Sequence, residues 1–429
     1  MNPMNKAPRS SRLSLLISSL IAISTNTAYS APALEEVVVT AQKREESLQE
    51  VPGAISAFSS ADIEDAGWQD VDKLQEIMPS VNVGGESLSK PFIFIRGVGT
   101  RKFDIGADGS VGIFVDEVYS ARFSSALSGI MDLERIEVLK GPQGTLYGRN
   151  TIGGAINMFS KKPTDEFEGR IKAATGNDDF YSVGASVSGP LIEDVLSGRL
   201  GVVTSDVNGA HKDTVSGATN NNKVDALRAS LYATPSERLE LAFTADVNNV
   251  ESDAILVEAN HANGHFLLNP TLPNVATALA ETSSDPYSNA YTTPGGVDRD
   301  SNQLSFKAKW SGDNIEFTSI SSRTDEDMEE IRDFDADIFD VWTNFVEQSS
   351  TQYSQELRFS SVDGGKFSFD DRLQWVMGVY YFEDDAERSD AYPLGPDSVL
   401  PPAEGEEFNN STVAVDLDTQ SYAAYVQGT

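Results

Sequence analysis

The chain contains no cysteine. That excludes disulfide staples and thiolate metal sites, and it suits a polypeptide that crosses an oxidising compartment without mispairing. Cations are also scarce. Lys+Arg number 32 against 66 Asp+Glu, a formal net charge of −34. Nucleic acid is excluded as a partner, because phosphate binding needs a cationic face, and attraction to an anionic lipid surface is equally unsupported. Two readings of the acidity stay open: solvation of long exposed loops, or attraction of cations or cationic ligands. The third shortage is of long apolar runs. Residues 13–23 are apolar with interspersed serines, preceded by Lys6, Arg9 and Arg12 and followed by Ala28, Tyr29 and Ser30, with small residues at the −3 and −1 positions of a cleavage site. Residues 1–30 therefore read as a secretory signal peptide. The run is too short to anchor a chain, which takes about 20 residues. No other stretch approaches that length, so a mature chain resident in a membrane would cross it as a closed β-barrel.

What is present falls into three further parts. Residues 31–50 are polar except around Val37, Val38 and Val39. Consecutive β-branched residues favour an extended strand. With no neighbouring strand in sequence, the block invites pairing with another protein's sheet edge; a disordered leader or an edge strand of the next domain is the plainer reading. Residues 51–165 read as a compact α+β domain. Ser59 or Ser60 caps a short helix ending at Gly67, and Asp70 caps a second running to Met78, stopped by Pro79. Residues 92–95, 111–115, 136–139 and 155–159 are short apolar runs that read as buried strands. Glycines crowd residues 141–154, which implies tight turns and close backbone approach.

From residue 166 the pattern changes to segments of roughly ten residues that alternate apolar and polar, as barrel strands do. Leu239, Leu241, Phe243, Ala245 and Val247 share one face, against Glu240, Thr244, Asp246 and Asn248. Leu304, Phe306, Ala308 and Trp310 repeat the pattern, as do Leu373, Trp375, Met377, Val379 and Tyr381. Connections alternate in length: 189–196, 234–238, 311–314 and 361–371 are short, whereas 206–223, 250–302, 324–349 and 384–417 are long. Outer-membrane barrels have short periplasmic turns and long external loops; a soluble sandwich has no reason for this rhythm. About ten strands are expected. A barrel able to hold a plug has about 22, so 166–429 reads as the first part of an antiparallel transmembrane β-barrel that does not close on its own.

The motifs resemble the TonB-dependent receptor family. Glu36, Val37, Val38, Val39, Thr40 and Ala41 look like its TonB box. The runs 51–58 and 74–81, Arg96-Gly97, 110–119, and above all 133–148 continuing through 153–157 are similar to its plug, in the family's order. One departure is Lys140 before Gly141-Pro142, where the family often has Arg; lysine offers a point charge in place of a two-pronged contact. The resemblance implies an outer-membrane protein with plug and box accessible from the periplasm. Its partners would be the TonB C-terminal domain, outer-membrane lipid and a small-molecule ligand of the metal-chelate kind, with the protein a monomer and not an enzyme. A resident cofactor is not expected, since iron would arrive within the transported ligand. A ferric siderophore leads as substrate; cobalamin, haem and oligosaccharide stay open. Arg96, Glu137, Lys140 and Arg149 are expected to tie plug to barrel, with solvated surface as the alternative. Ser87, Lys90, Arg101, Lys102, Asp104, Asp108, Tyr119, Arg122 and Phe123 are the ligand-contact candidates, on connections that face outward in the family.

Other chemistry finds little support. Gly141, Gly144, Gly148, Gly153 and Gly154 are followed by no Gly-Lys-Ser/Thr, so a nucleotide loop is rejected. No nucleophile elbow or zinc-spaced His and Glu occurs. Asp333, Asp335 and Asp337 resemble a calcium-ligand run but lack the Gly at position six and the Glu at twelve. His261 and His265 lie in a loop where solvated histidines are the simpler reading. A passive porin would have no plug, and a signalling receptor would carry a domain before the box. A surface binding or signalling receptor is the rival to transport.

Overall fold

The computed structural model describes residues 38–40, 42–44, 46–49, 51, 53–66, 73–85, 91–101, 105–122, 132–213, 217, 219–252, 288–289, 293, 295–333, 339–369, 372–399 and 409–429. Residues 39–429 form one compact unit. Of residues 1–38, only Val38 is described, so the signal-peptide reading, Glu36 and Val37 lie outside the described residues. Ala41, Ser87, Lys90, Lys102, Asp104, Phe123, His261, His265, Asp335 and Asp337 do too.

The first part of the compact unit is the plug. It begins with β1 (Val38–Val39) paired to β2 (Glu46–Ser47). A five-stranded sheet follows, built from β3 (Ile55–Ser59), β7 (Val111–Val115), β8 (Val118–Ser120), β9 (Leu133–Lys140) and β10 (Gly154–Ser160) in the order β3-β9-β10-β7-β8. β10 runs antiparallel to β9 and parallel to β7. A smaller sheet joins β4 (Val81–Gly85), β5 (Pro91–Ile95) and β6 (Val98–Arg101). Its inward side chains meet those of the larger sheet in one core that includes Ile93, Ile95, Val111, Ile113, Ile136, Val138 and Ile156. The expected apolar runs thus supply the plug's central strands. Close packing accounts for glycine at 154: its φ is +148°, and a Cβ there would stand 2.3 Å from the Leu139 carbonyl oxygen.

Helices are short. Ser59 caps the helix Ser60–Asp65 in a reciprocal capping box with Asp62, as its sequence indicates. The second helix is one turn, Leu74–Ile77, preceded by Lys73 with no side-chain cap; the expected start at Asp70 falls outside the described residues. Its end at Met78 fits the proline that follows.

The second part is a wall of ten long antiparallel strands in sequence order: β11 (Glu168–Thr175), β12 (Tyr181–Ile192), β13 (Leu196–Asp213), β14 (Thr219–Ser236), β15 (Leu239–Ser252), β17 (Gly296–Ser311), β18 (Ile315–Asp333), β19 (Thr343–Ser361), β20 (Trp375–Leu394) and β21 (Asn409–Gly428). The two-residue β16 (Ser288–Asn289) runs parallel to β13, off that path. Register places the apolar residues on one face: Leu231 faces Phe243, which faces Phe306, and Leu241 faces Ala308. That face is exposed, with Phe243 at 42% and Leu304 at 49%. The opposite face is polar yet buried, including Ser322, Gln352, Glu356 and Arg358. A water-soluble sheet does the reverse. Apolar outside and polar inside is the arrangement of a barrel wall in lipid.

The strands outrun the expected ten residues. β20 and β21 have 20 each, whereas a membrane crossing takes about 9–11. Much of what reads as long loop in 206–223, 324–349 and 384–417 is strand, because β13, β18 and β20 continue to Asp213, Asp333 and Leu394. The reason is physical. Beyond the lipid, water meets the outer face, so the extensions have no need of alternation. Outward Asp325, Asp327, Asp385, Glu387, Asp416 and Asp418 sit together there.

Candidate functional site

The plug meets the wall through charge. The β7–β8 hairpin turns on Asp116 and Glu117 at φ +49° and +70°. A two-residue turn of this kind favours glycine at its second position, and a glutamate there is held at a conformational cost. Its side chain shows what retains it: the Glu117 carboxylate accepts from Arg358 of β19 at 2.8 Å and from Lys307 of β17. Burial alone would raise the Glu117 pKa, but Arg358 and Lys307 outweigh it and hold the group well below the ordinary carboxylate value.

The lumen face of β19 carries a ladder of such contacts. Near its short-turn end, Arg44 donates to Ser361 and to Asp363. Lys43 donates to both oxygens of Glu356, at 2.8 and 2.7 Å. Arg358 also lies 3.6 Å from Glu356, so one arginine joins the Lys43 and Glu117 attachments. Higher up, the Gln352 amide donates to the Tyr119 carbonyl at 2.6 Å and accepts from the Ala121 N–H at 2.9 Å. On β20, opposite, Asp384 accepts from Arg122 at 2.8 Å. Elsewhere Asp132 binds Arg199 of β13, and Ser160 meets Arg228 of β14.

Above this ladder, toward the long connections, lies a cavity of about 190 Å³ between plug and wall, lined by Asp108, Tyr119, Arg122, Arg149, Phe382 and Asp384 among others. Three ligand-contact candidates meet here; Asp108 is exposed, whereas the other two are not. Tyr119 is buried, its ring 5.7 Å from Phe382 and its hydroxyl accepting from Asn150; burial raises its pKa. Arg122 is buried against Asp384, and Asp108 binds Arg149 and Asn150. Arg101 is exposed and stacks on Phe92, away from this group.

The four expected plug-to-barrel residues divide. Arg149 reaches the wall, its guanidinium 5.5 Å from the Phe382 ring centroid. The other three make no ion pair with the wall among the described residues. Lys140 donates to Ser56 within the plug, and burial together with nearby Arg96 lowers its pKa. Arg96 sits exposed at the β5–β6 turn with φ +52° and makes no ion pair among the described residues. Glu137 is fully buried and turns toward the segment around Thr40: it accepts from the Thr40 N–H at 2.9 Å, the Thr40 hydroxyl at 3.3 Å and Arg135 at 2.8 Å. The reason is strand parity. Ile136 and Val138 of β9 enter the plug core, so Arg135, Glu137 and Leu139 face the other way, where Val39 and Thr40 lie.

Lys43, Glu117, Glu356, Arg358 and Asp384 escape the sequence reading. The available signal was Glu117 itself, a non-glycine in a tight two-residue turn. Of the calcium-like run, only Asp333 is described, and it accepts from the Thr293 N–H.

Known proteins share this arrangement. The profile of the TonB-dependent Receptor Plug Domain matches residues 47–155. The pesticin receptor of Yersinia pestis is 28% identical over 297 residues, covering 67% of this chain and 40% of that protein. The ferripyoverdine receptor of Pseudomonas aeruginosa is 32% identical over 145 residues, 34% of this chain and 17% of its own length. Among solved structures, the ferric yersiniabactin uptake receptor FyuA from Yersinia pestis superposes with a TM-score of 0.70 at 17% identity, over 88% of this chain and 61% of that one. The chain thus spans well under half the length of these curated relatives. With a matching plug profile, curated relatives that are receptors and a shared plug-and-wall fold, the chain belongs to the TonB-dependent receptor family, of which it carries the plug and part of the barrel.

Proposed function

We propose that this chain serves TonB-dependent active uptake of a scarce nutrient across the bacterial outer membrane, with a ferric siderophore as the substrate class. The carrying observation is the ladder on β19. One rigid strand holds the coupling-side residue Lys43 at Glu356 and, further up, the plug residues Tyr119 and Ala121 that line the cavity. A ligand entering from the long-connection side presses on the same wall that anchors the segment next to the TonB box. That segment then adds as a strand to the TonB C-terminal domain, where main-chain hydrogen bonds loaded together resist a pull with little side-chain specificity. The names of the ferripyoverdine and ferric yersiniabactin receptors support a metal chelate as the ligand.

The test is growth of a deletion strain on a panel of ferric chelates, cobalamin, haem and glycans, complemented by the full-length gene with or without residues 36–40. Growth on a ferric chelate that needs the intact segment is the expected result. Uptake that persists without the segment would overturn energy coupling, and rescue only on cobalamin or a glycan would overturn the substrate class.

A further inference from the structure

The β9 motif is the strongest family signature in the chain, yet among the described residues its charged side chains pair within the plug and its leading segment. Thr40 is held at every polar group. Its N–H donates to Glu137, and its hydroxyl donates to Glu137 while accepting from Arg135 at 3.3 Å. Its carbonyl accepts from the Lys43 N–H at 2.8 Å and from the Tyr147 hydroxyl at 3.4 Å. Tyr147 is itself positioned by the Asn157 amide at 2.8 Å. Beside it, Val39 is fully buried in a cluster with Leu139, Ala155 and Phe114. The Arg135 guanidinium lies 3.9 Å from the Phe159 ring centroid, which fixes it where it can serve Glu137 and Thr40 together.

We propose that Glu137 is the positioning residue that keeps the end of the TonB box seated on the plug, and so sets how readily the box becomes available to a partner. This rests on the uptake reading only for the meaning of availability; the seating itself stands on geometry. All three donors converge on Oε1 of Glu137, whereas Oε2 is buried and accepts no hydrogen bond among the described residues. A carboxylate placed for stability alone would use both oxygens, because a buried unsatisfied acceptor is costly. The seated state therefore keeps a desolvation cost that departure of Thr40 removes, as water reaches the carboxylate. Such a contact is a latch rather than a weld: specific in register, and incompletely satisfied while closed.

The test uses the absence of cysteine. Glu36→Cys places a thiol in a segment whose 429 residues contain none, any cysteine elsewhere in the full-length protein being replaced by serine, and a nitroxide there reports seating by its spectrum in ligand-free outer-membrane vesicles. Glu137→Ala is expected to raise the mobile fraction at least threefold. Thr40→Val, which keeps the shape and removes the hydroxyl, should raise it less, and should add little on the Glu137→Ala background because both changes remove one shared contact. Unaltered heat-modifiable migration of each variant controls for barrel folding. A Glu137→Ala spectrum matching the parent would overturn the proposal. So would a Thr40→Val effect of undiminished size on that background. The readout does not depend on uptake: a mobile segment in a protein that transports nothing would sink the proposed function and leave the latch standing.

Discussion

Plug and wall bury opposite kinds of side chain, although the same chain builds both. In the plug, Ile95, Ile113 and Ile136 lie at the centre, and Glu64, Arg96 and Arg101 face outward. In the wall, Glu356, Arg358 and Asp384 are buried while Leu304, Phe306 and Met377 are exposed. What differs is the medium on each side. The plug excludes water from its core by apolar packing. The wall turns its apolar face toward lipid, which leaves its polar face to meet the plug, and there each charge needs a partner. The interface between them is accordingly ionic, and single removals at it are costly for a reason unlike that of a core cavity.

The largest expected effect breaks that interface. Arg358→Ala would leave Glu117 and Glu356 buried with less compensation, a loss of about 3–5 kcal/mol, read as a lower urea midpoint for plug unfolding in the detergent-solubilised full-length protein. Ile136→Ala tests the other kind of burial. Its cost is about 2–5 kcal/mol by cavity formation, seen in the same titration and insensitive to salt. The wall's outer face gives a third test. Leu304→Lys should cost about 2–4 kcal/mol near mid-bilayer, whereas Asp298→Lys, further along the same face, should stay within about 0.5 kcal/mol; equal effects would deny that lipid ends between them. The smallest effect concerns pH. Because the folded pKa of Glu117 is depressed, its tie is fully present above the unfolded value of about 4.3 and is lost only as pH falls through the lower folded value. Going from pH 7 to 5 should leave the Glu117 contribution intact, so a wild-type minus Glu117→Gln stability difference that shrinks over that interval would contradict the buried pairing.

Much of this was legible because it is local or periodic. Alternation placed Phe243 and Phe306 on one face before their pairing was known, since side-chain direction in a strand follows parity. Strand length was not legible, because alternation marks only the part of a strand with different media on its two faces. β18 continues through Asp325, Asp327 and Glu329 with water outside, and reads as loop. The site was legible in part. The region of Asp108, Tyr119 and Arg122 borders a cavity, and Asp108 is exposed there, but the burial of Tyr119 and Arg122 comes from Phe382 and Asp384, over 250 residues away in the chain.

By itself, the sequence determined the two-part plan, the family, the faces of the wall strands and the cap at Ser59, all of which follow from composition, motif order or short-range pattern. Tertiary structure alone decided which charges meet. Parity puts Arg135 and Glu137 on the face of β9 opposite Ile136 and Val138, and nothing local says whether that polar side faces the wall or Thr40. Likewise, Glu117 is one acidic residue among 66 Asp+Glu until the fold brings Arg358 to it. Pairing of charges across long sequence separations is set by register and packing, which a local pattern does not encode.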